Sequence, residues 1–384
     1  MNVKTAPKSA PRITPDYNRQ WRIKSYDTDN LYPQWLITIA DNSPTLKGCL
    51  DRYIDFIEGK GITNTELAQF VINRKGQTLD DLHHLCSIDK ARFDGFAIHV
   101  NYDVTGRAVE YQHVPFENCR IEEPDDDGIV AHIAVHVDWR GKTTRNGKKV
   151  DVEGNNIDYI DTFNPKPEVV RRQIVAAGGI QHYKGQIMYV SGAGYMTYPT
   201  PVYDSVISEA LTDEGLANVM LRNVRNNFLA AGILTRLKSQ YAPDPLTTPN
   251  SSTYKEDEFE AQLAQLQGDT NALKILSFTA DSKEEIPTWT PFTVQNFDKA
   301  FTATDDSIKD KIYSIFQQEG WLCIRNGKVG FGGTLITEIK QEYSERTAKE
   351  RINLTQAYVK MLAVCALPLP AVPSYDNLTI EPIA

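Results

Sequence analysis

The chain is poor in cysteine. Cys49, Cys86, Cys119, Cys323 and Cys365 are scattered over 384 residues, odd in number, with no CxxC pair. That pattern points to free thiols in a reducing compartment and away from a disulfide framework. Long apolar runs are missing too. No stretch approaches the length of a membrane span, and the opening MNVKTAPKSAPRITPDYNRQ has no signal-peptide core. Being polar and rich in Pro and Lys, the first 27 residues are expected to be a disordered arm. Positive charge is also in deficit, with 41 Lys and Arg against 50 Asp and Glu, for a net charge of −9. A protein that grips DNA through many phosphate contacts carries a basic patch, so any contact with nucleic acid here is expected to be loose, local or transient.

Catalytic signatures are absent as well. There is no GxSxG elbow, and no cysteine has an activating motif beside it. The run GKVGFGG has neither the spacing of a phosphate loop nor a strand before it, and reads as a flexible connector. All seven histidines fall between His83 and His182. His132 and His136 have the spacing of metal ligands on a helix, but HIAVHVDW alternates as a strand does, which would part the two rings by about 13 Å. His83 and His84 are neighbours on a helix and point in different directions. The acidic pairs Asp305–Asp306, Glu284–Glu285 and Asp125–Asp127 read as caps and turns. A metal-dependent hydrolase using His99, His113, His132 and His136 is the enzymatic alternative. The preferred reading has no catalytic residue, no metal and no cofactor.

Present instead is a full set of structural signals. With 41% hydrophobic and 24% charged residues, the chain has an ordinary globular composition and is long enough for two or three lobes. Ser43 and Pro44 open a helix whose Leu46, Leu50, Tyr53, Ile54 and Ile57 share one face, and Gly59 and Gly61 end it. Thr78, with Asp81 in the capping-box position, opens another that carries Leu79, Leu82, Cys86 and Phe93. Between Phe96 and about Val190 the period becomes two, which predicts an antiparallel β-lobe with helices on one side. SGAGYMTYPTP is a linker. Three long helices are then expected. The first is VYDSVISEALTDEGLANVMLRNVRNNF, acidic at its start and basic at its end. An insert beginning LAAGILTRL leads to the second, VQNFDKAFTATDDSIKDKIYSIFQQ. After NGKVGFGG comes the third, TEIKQEYSERTAKERINLTQAYVKMLAVC. Its middle, EYSERTAKER, is charged all round and calls for solvent on both sides or a neighbour in an assembly.

In this order the parts resemble the portal protein of tailed bacteriophages. DNLYPQWLITIADNSPTLKGCLDRYIDFIEGKGI resembles that family's opening helix and Gly-x-Gly turn. QIMYVSGAGYMTYPTPVYDSVISEALTDEGLANVMLRNVRNNFLAAGILTRL is similar to its passage from wing to stem. LKILSFTADSKEEIPTWTPFTVQNFDKAF resembles the strand pair and second stem helix after the clip.

The resemblance implies an α+β, portal-like fold with an antiparallel β/α wing, a two-helix stem, a small α/β clip, a glycine-rich tunnel loop and a long C-terminal helix. After the arm (1–27), the wing would be 28–200, the first stem helix 201–228, the clip 229–292 and the second stem helix 293–318. The tunnel loop would be 319–336. The long helix and a return to the wing would fill 337–384, with NLTI as a last strand and the crown reduced or absent. The family's Val-Pro step after the second stem helix is replaced here by EGWLCIRNGKVGFGG. By the same resemblance the chain would form a ring, usually of twelve subunits, at a capsid vertex of the virion, and pass double-stranded DNA. Its partners would be the terminase large subunit, the major capsid or scaffold protein and a head–tail adaptor. Arg325, Asn326, Lys328, Gly330, Gly332 and Gly333 would face the DNA channel. Tyr241, Asp244, Thr247 and Asn250, in the clip loop, would meet the packaging motor. An adaptor itself is the third reading, although adaptors are generally shorter and lack paired stem helices.

Overall fold

Residues 21–26, WRIKSY, alternate, and in the computed structural model of the chain they form one arm of a hairpin: β1 (Asp16–Asn18) pairs antiparallel with β2 (Ile23–Ser25). The structure describes residues 15–27, 29–141, 152, 156–193, 197–226, 233–237, 276–280, 297–327 and 333–383. The arm expected to be disordered is therefore folded from residue 15. Ile23 faces inward, fully buried with Ala134, Trp139 and Ile157, while Arg22 and Lys24 face outward to Glu122 and Glu123. Removing a side chain of that size from water contributes about 2 kcal/mol, enough to order a short hairpin that has neighbours to lean on.

The helix signals hold. The side chain of Ser43 caps α2 (Pro44–Glu58), which follows α1 (Tyr32–Asn42), and Gly59 ends it at φ 66°. A four-residue turn, α3 (Thr65–Ala68), precedes α4 (Leu79–Phe93), and Thr78 and Asp81 form the complete capping box. Helices α2 and α4 pack on each other and bury Leu46, Leu50, Ile57, Leu79 and Leu82 in the main core.

The alternating region makes six strands: β3 (Gly95–Tyr102), β4 (Ala108–Val114), β5 (Cys119–Ile121), β6 (His132–Val135), β7 (Asp158–Thr162) and β8 (Gln186–Ser191). They lie in the order β4-β3-β8-β7-β6-β5. The sheet is mixed, a correction to the antiparallel expectation, because β7 and β8 run parallel. Helix α5 (Pro167–Ala176) joins those two strands, and a parallel pair needs such a crossover where a hairpin turn would not reach. On the far side, Ile23 bridges to Glu122 and carries the sheet toward the hairpin.

Arg120, at the centre of β5, is fully buried without a carboxylate partner. Its guanidinium donates to Asn30 Oδ1 at 2.7 Å, to the carbonyls of Asn30, Glu117 and Cys119, and to Gln34 Oε1. The rings of Tyr26 and Trp139 lie 4.7 and 5.0 Å from it. Carbonyl dipoles and π-faces thus replace the water that the cation has lost. The same side chain ties the start of α1 to the sheet.

The chain divides into two compact units, residues 212–307 and the remainder. Helix α6 (Ile207–Asn226) follows a 3-10 turn over Val202–Val206. In the smaller unit β9 (Ile233–Leu237) and β10 (Leu276–Ala280) pair in parallel. Helix α7 (Phe297–Ile315) leads back and buries Ile308 and Ile312 in the main core.

Two expectations change in the last part of the chain. Glu319–Arg325 is a helix, α8, and α9 begins at Gly333, so the segment between them is 326–332 and not the whole of 319–336. The long C-terminal helix is also broken, into α9 (Gly333–Arg346) and α10 (Ala348–Leu362). The break sits at Thr347, whose hydroxyl bonds the carbonyls of Tyr343 and Ser344. Arg351 Nη1 reaches back to Phe56 O at 2.7 Å, and Nη2 takes Ser344 O. The charged middle is therefore closed on its inner side by the chain's own α2, with Tyr343, Ser344, Thr347 and Arg351 all buried. A short helix, α11 (Tyr375–Leu378), precedes the return segment, in which Glu381 and Thr379 exchange backbone bonds with residues 60–63 and Ile380 bridges Ile62.

Candidate functional site

Upstream of the segment that the resemblance directs toward DNA, a tight corner joins α7 to α8. Phe316 closes α7 against Tyr53 and Tyr203, with ring centroids 5.7 and 6.1 Å away. Gln317 then turns the chain with φ 56°, a left-handed conformation that is rare without glycine, and its Oε1 accepts from Arg346 Nη1 at 2.6 Å. Gln318 is fully buried. Its Nε2 donates to Cys49 O at 2.9 Å and to the Tyr343 hydroxyl at 2.8 Å, and its Oε1 accepts from Arg52 Nη1 at 2.8 Å. One carboxamide therefore joins α2, α9 and the corner.

Helix α8 is anchored by Trp321. Its ring meets Phe56 and Tyr343 edge-on at 5.7 and 5.1 Å, and the guanidinium of Arg52 lies 5.0 Å from it. Gly320 packs closely here, since a Cβ would come within 3.1 Å of the Ile339 side chain. Cys49 lies under the corner, where burial pushes its thiol up to about 12 against the opposing pull of Arg52 and Arg325, so it is an inert core residue.

Arg325 ends α8, exposed, with Nη1 3.5 Å from the Tyr313 hydroxyl. Asn326 is the C-cap, Gly327 follows at φ 66°, and Gly333 is the first residue of α9. The helix that leads into the expected channel loop is thus packed on Phe56 and Tyr343. Lys328, Gly330 and Gly332 lie outside the described residues, as do Tyr241, Asp244, Thr247 and Asn250 of the expected motor-docking loop. Sequence reading missed Gln318, Arg52, Trp321 and Tyr343. No motif marks a glutamine whose partners are this distant in the chain.

The histidines of the hydrolase alternative work in separate places. His99 Nε2 meets Lys184 O at 2.7 Å, and His113 Nε2 meets Asp89 Oδ2 at 2.7 Å. His132 lies between Glu122 and Asp161, at 2.6 and 3.5 Å, and His136 Nδ1 accepts from the Asp138 N–H. Burial pushes the Asp89 carboxyl up, with His113 opposing, which suits a structural pair under β4. Among the described residues no group of three or more His, Cys, Asp or Glu side chains is arranged to hold a metal ion. None of the described helices is long and apolar enough to cross a membrane.

No protein-family model and no curated protein matches the chain. Among solved structures, it is similar to a chain of the virion of a native gene transfer agent particle, at 12% identity and a TM-score of 0.50, over 92% of this chain and 84% of that one. A chain from the neck of the native particle computed with C12 symmetry aligns at 12% identity and TM-score 0.46, covering 87% and 82%. Another, from the neck of an empty particle computed with C6 symmetry, aligns at 11% identity and TM-score 0.48, again covering 87% and 82%. At such identities the likeness to the virion chain is one of fold, and it runs nearly end to end.

Proposed function

We propose that this chain is the subunit of a portal ring, a structural component of a phage-like particle through which double-stranded DNA is packaged and ejected. The observation that carries the reading is the fold shared with a virion chain over 92% of the sequence. Two further features support it. The order of parts in the sequence resembles that of the portal family, and α8, which leads into the segment 326–332, is anchored on Phe56 and Tyr343, which suits the base of a loop that must meet a moving polymer.

Charge fits the role. A conduit must let DNA slide, and each phosphate contact adds affinity and hence drag; a net charge of −9 keeps such contacts few. On this reading the ring, of about twelve subunits by resemblance to the family, docks the terminase large subunit through the clip. It meets capsid or scaffold protein at the wing and a head–tail adaptor at its other contacts. It has no catalytic centre of its own. Negative-stain microscopy of the purified protein tests this directly. Closed rings with a central hole are expected, and particles that stay monomeric across salt and concentration would overturn the reading.

A further inference from the structure

With its inner side closed by α2, the charged stretch of α9 and α10 carries two outward stripes, a mainly acidic one on α9 and a basic one on α10. On one face of α9 the exposed residues Glu338, Gln341, Glu342 and Glu345 stand at helical spacing, and the exposed Arg346 beside them is paired to Glu342 Oε1 at 2.7 Å. Along α10 they are Lys349, Ile352, Gln356 and Lys360. The acidic stripe is about 10 Å long and the basic one about 16 Å, so one can cover the other. Each borders a cleft. Beside the acidic stripe is one of about 210 Å³, lined by Trp321, Ile339 and Tyr343 together with Gln317, Glu319, Glu342 and Arg346. Beside the basic stripe is one of about 170 Å³, lined by Lys90, Ser191, Asn353, Gln356 and Lys360. Among the described residues, Glu338, Lys349 and Lys360 form no salt bridge within the chain, and Ile352 stays 40% exposed between the two lysines.

We propose that the acidic stripe of α9 in one subunit binds the basic stripe of α10 in the next copy of this chain. Ile352 would enter the aromatic cleft beside Trp321 and Ile339. This rests on the ring reading above and names the surface that closes the ring. The occupant is a second copy because the two stripes are complementary to each other and distinct. Such an interface is head-to-tail, and it closes into a ring when the rotation allows. Like charges brought face to face cost several kcal/mol, so the same pairing also rejects the wrong partner face.

Charge reversal in the full chain tests the pairing, read by mass photometry at fixed low salt, with circular dichroism as a check of folding. Lys349→Glu with Lys360→Glu, and separately Glu338→Lys with Glu345→Lys, should each raise the concentration needed for ring assembly by about tenfold or more. A chain carrying all four changes should recover rings. An equimolar mixture of the two double variants should also form rings, since each then presents the sign that its neighbour needs. Wild-type rings that survive both reversals would overturn this interface and leave the ring reading standing, with the stripes facing something else. Failure of both the fourfold variant and the mixture to recover rings would also overturn it. Absence of rings in the wild type would instead strike the ring reading itself.

Discussion

Gln318 Nε2 donates to the Tyr343 hydroxyl at 2.8 Å, so a single carboxamide pins the turn after α7 to the face of α9. The same group satisfies Cys49 O and Arg52, and all three partners are left wanting if it is removed.

Gln318→Leu should therefore destabilise the protein by about 2–4 kcal/mol, since the buried carbonyl of Cys49 and the Tyr343 hydroxyl lose a partner. Chemical denaturation of the variant measures this. A loss below about 0.5 kcal/mol would mean that the corner is held by its aromatic contacts alone.

Arg351 makes a comparable junction between α10 and α2. Arg351→Met keeps much of the volume and removes the donors to Phe56 O and Ser344 O, and should cost about 2–4 kcal/mol. Arg351→Lys should recover little of that loss, because one ammonium cannot span both carbonyls as the planar fork does. Thermal unfolding of the two variants side by side would show it.

How far this arrangement was legible in the sequence depended on distance along the chain. The Ser43 cap and the Thr78–Asp81 box are contacts within three residues, and both are present. The break at Thr347 was not legible, because its causes lie elsewhere: Arg351 bonds a carbonyl 295 positions away. Ile23 was not read for the same reason, since its neighbours Ala134, Trp139 and Ile157 lie far along the chain. The parallel pairing of β7 with β8 goes with α5, a ten-residue crossover whose buried side chains Val170 and Ile174 give a helical signal too short to stand out among strands. Beside the expected channel segment, no motif announced the packing of α8 on Phe56 and Tyr343.

Glu350 gives a pH dependence. Its Oε2 is buried without a hydrogen bond, the Tyr53 hydroxyl reaches only Oε1, and burial pushes the carboxyl above its usual range. A folded-state pKa raised above the unfolded one means that the folded protein binds its proton more tightly. Stability is then highest below the unfolded pKa and falls as pH rises through the folded one. Glu350→Gln cannot ionise and should unfold at a higher temperature than wild type at pH 7–8, with the gap closing toward pH 4. A gap that is constant with pH would show that ionisation of Glu350 is not its cause.

The segment proposed as the clip loop offers a test of partner binding. Deleting 241–252, which holds Tyr241, Asp244, Thr247 and Asn250, should leave ring assembly unchanged and weaken binding of the terminase large subunit at least tenfold. Pull-down and titration with the purified enzyme would measure it, and undiminished binding would move the docking surface elsewhere.

Arg325 is the sharpest test of the channel. It is exposed at the end of α8, beside the segment 326–332, and Lys328 is the cation that the sequence adds there. If these two side chains touch passing phosphates, replacing both with Ala should spare ring assembly and alter DNA packaging or retention. The salt dependence of DNA binding is the finer readout. Every lost phosphate contact should lower the log–log slope by about one, from a slope already shallow for a protein of this charge. The Tyr313 hydroxyl, 3.5 Å from Arg325, holds that guanidinium only loosely, so removing it with Tyr313→Phe should leave the slope unchanged. Packaging and salt slope both indifferent to the Arg325→Ala, Lys328→Ala pair would take the channel role away from this segment.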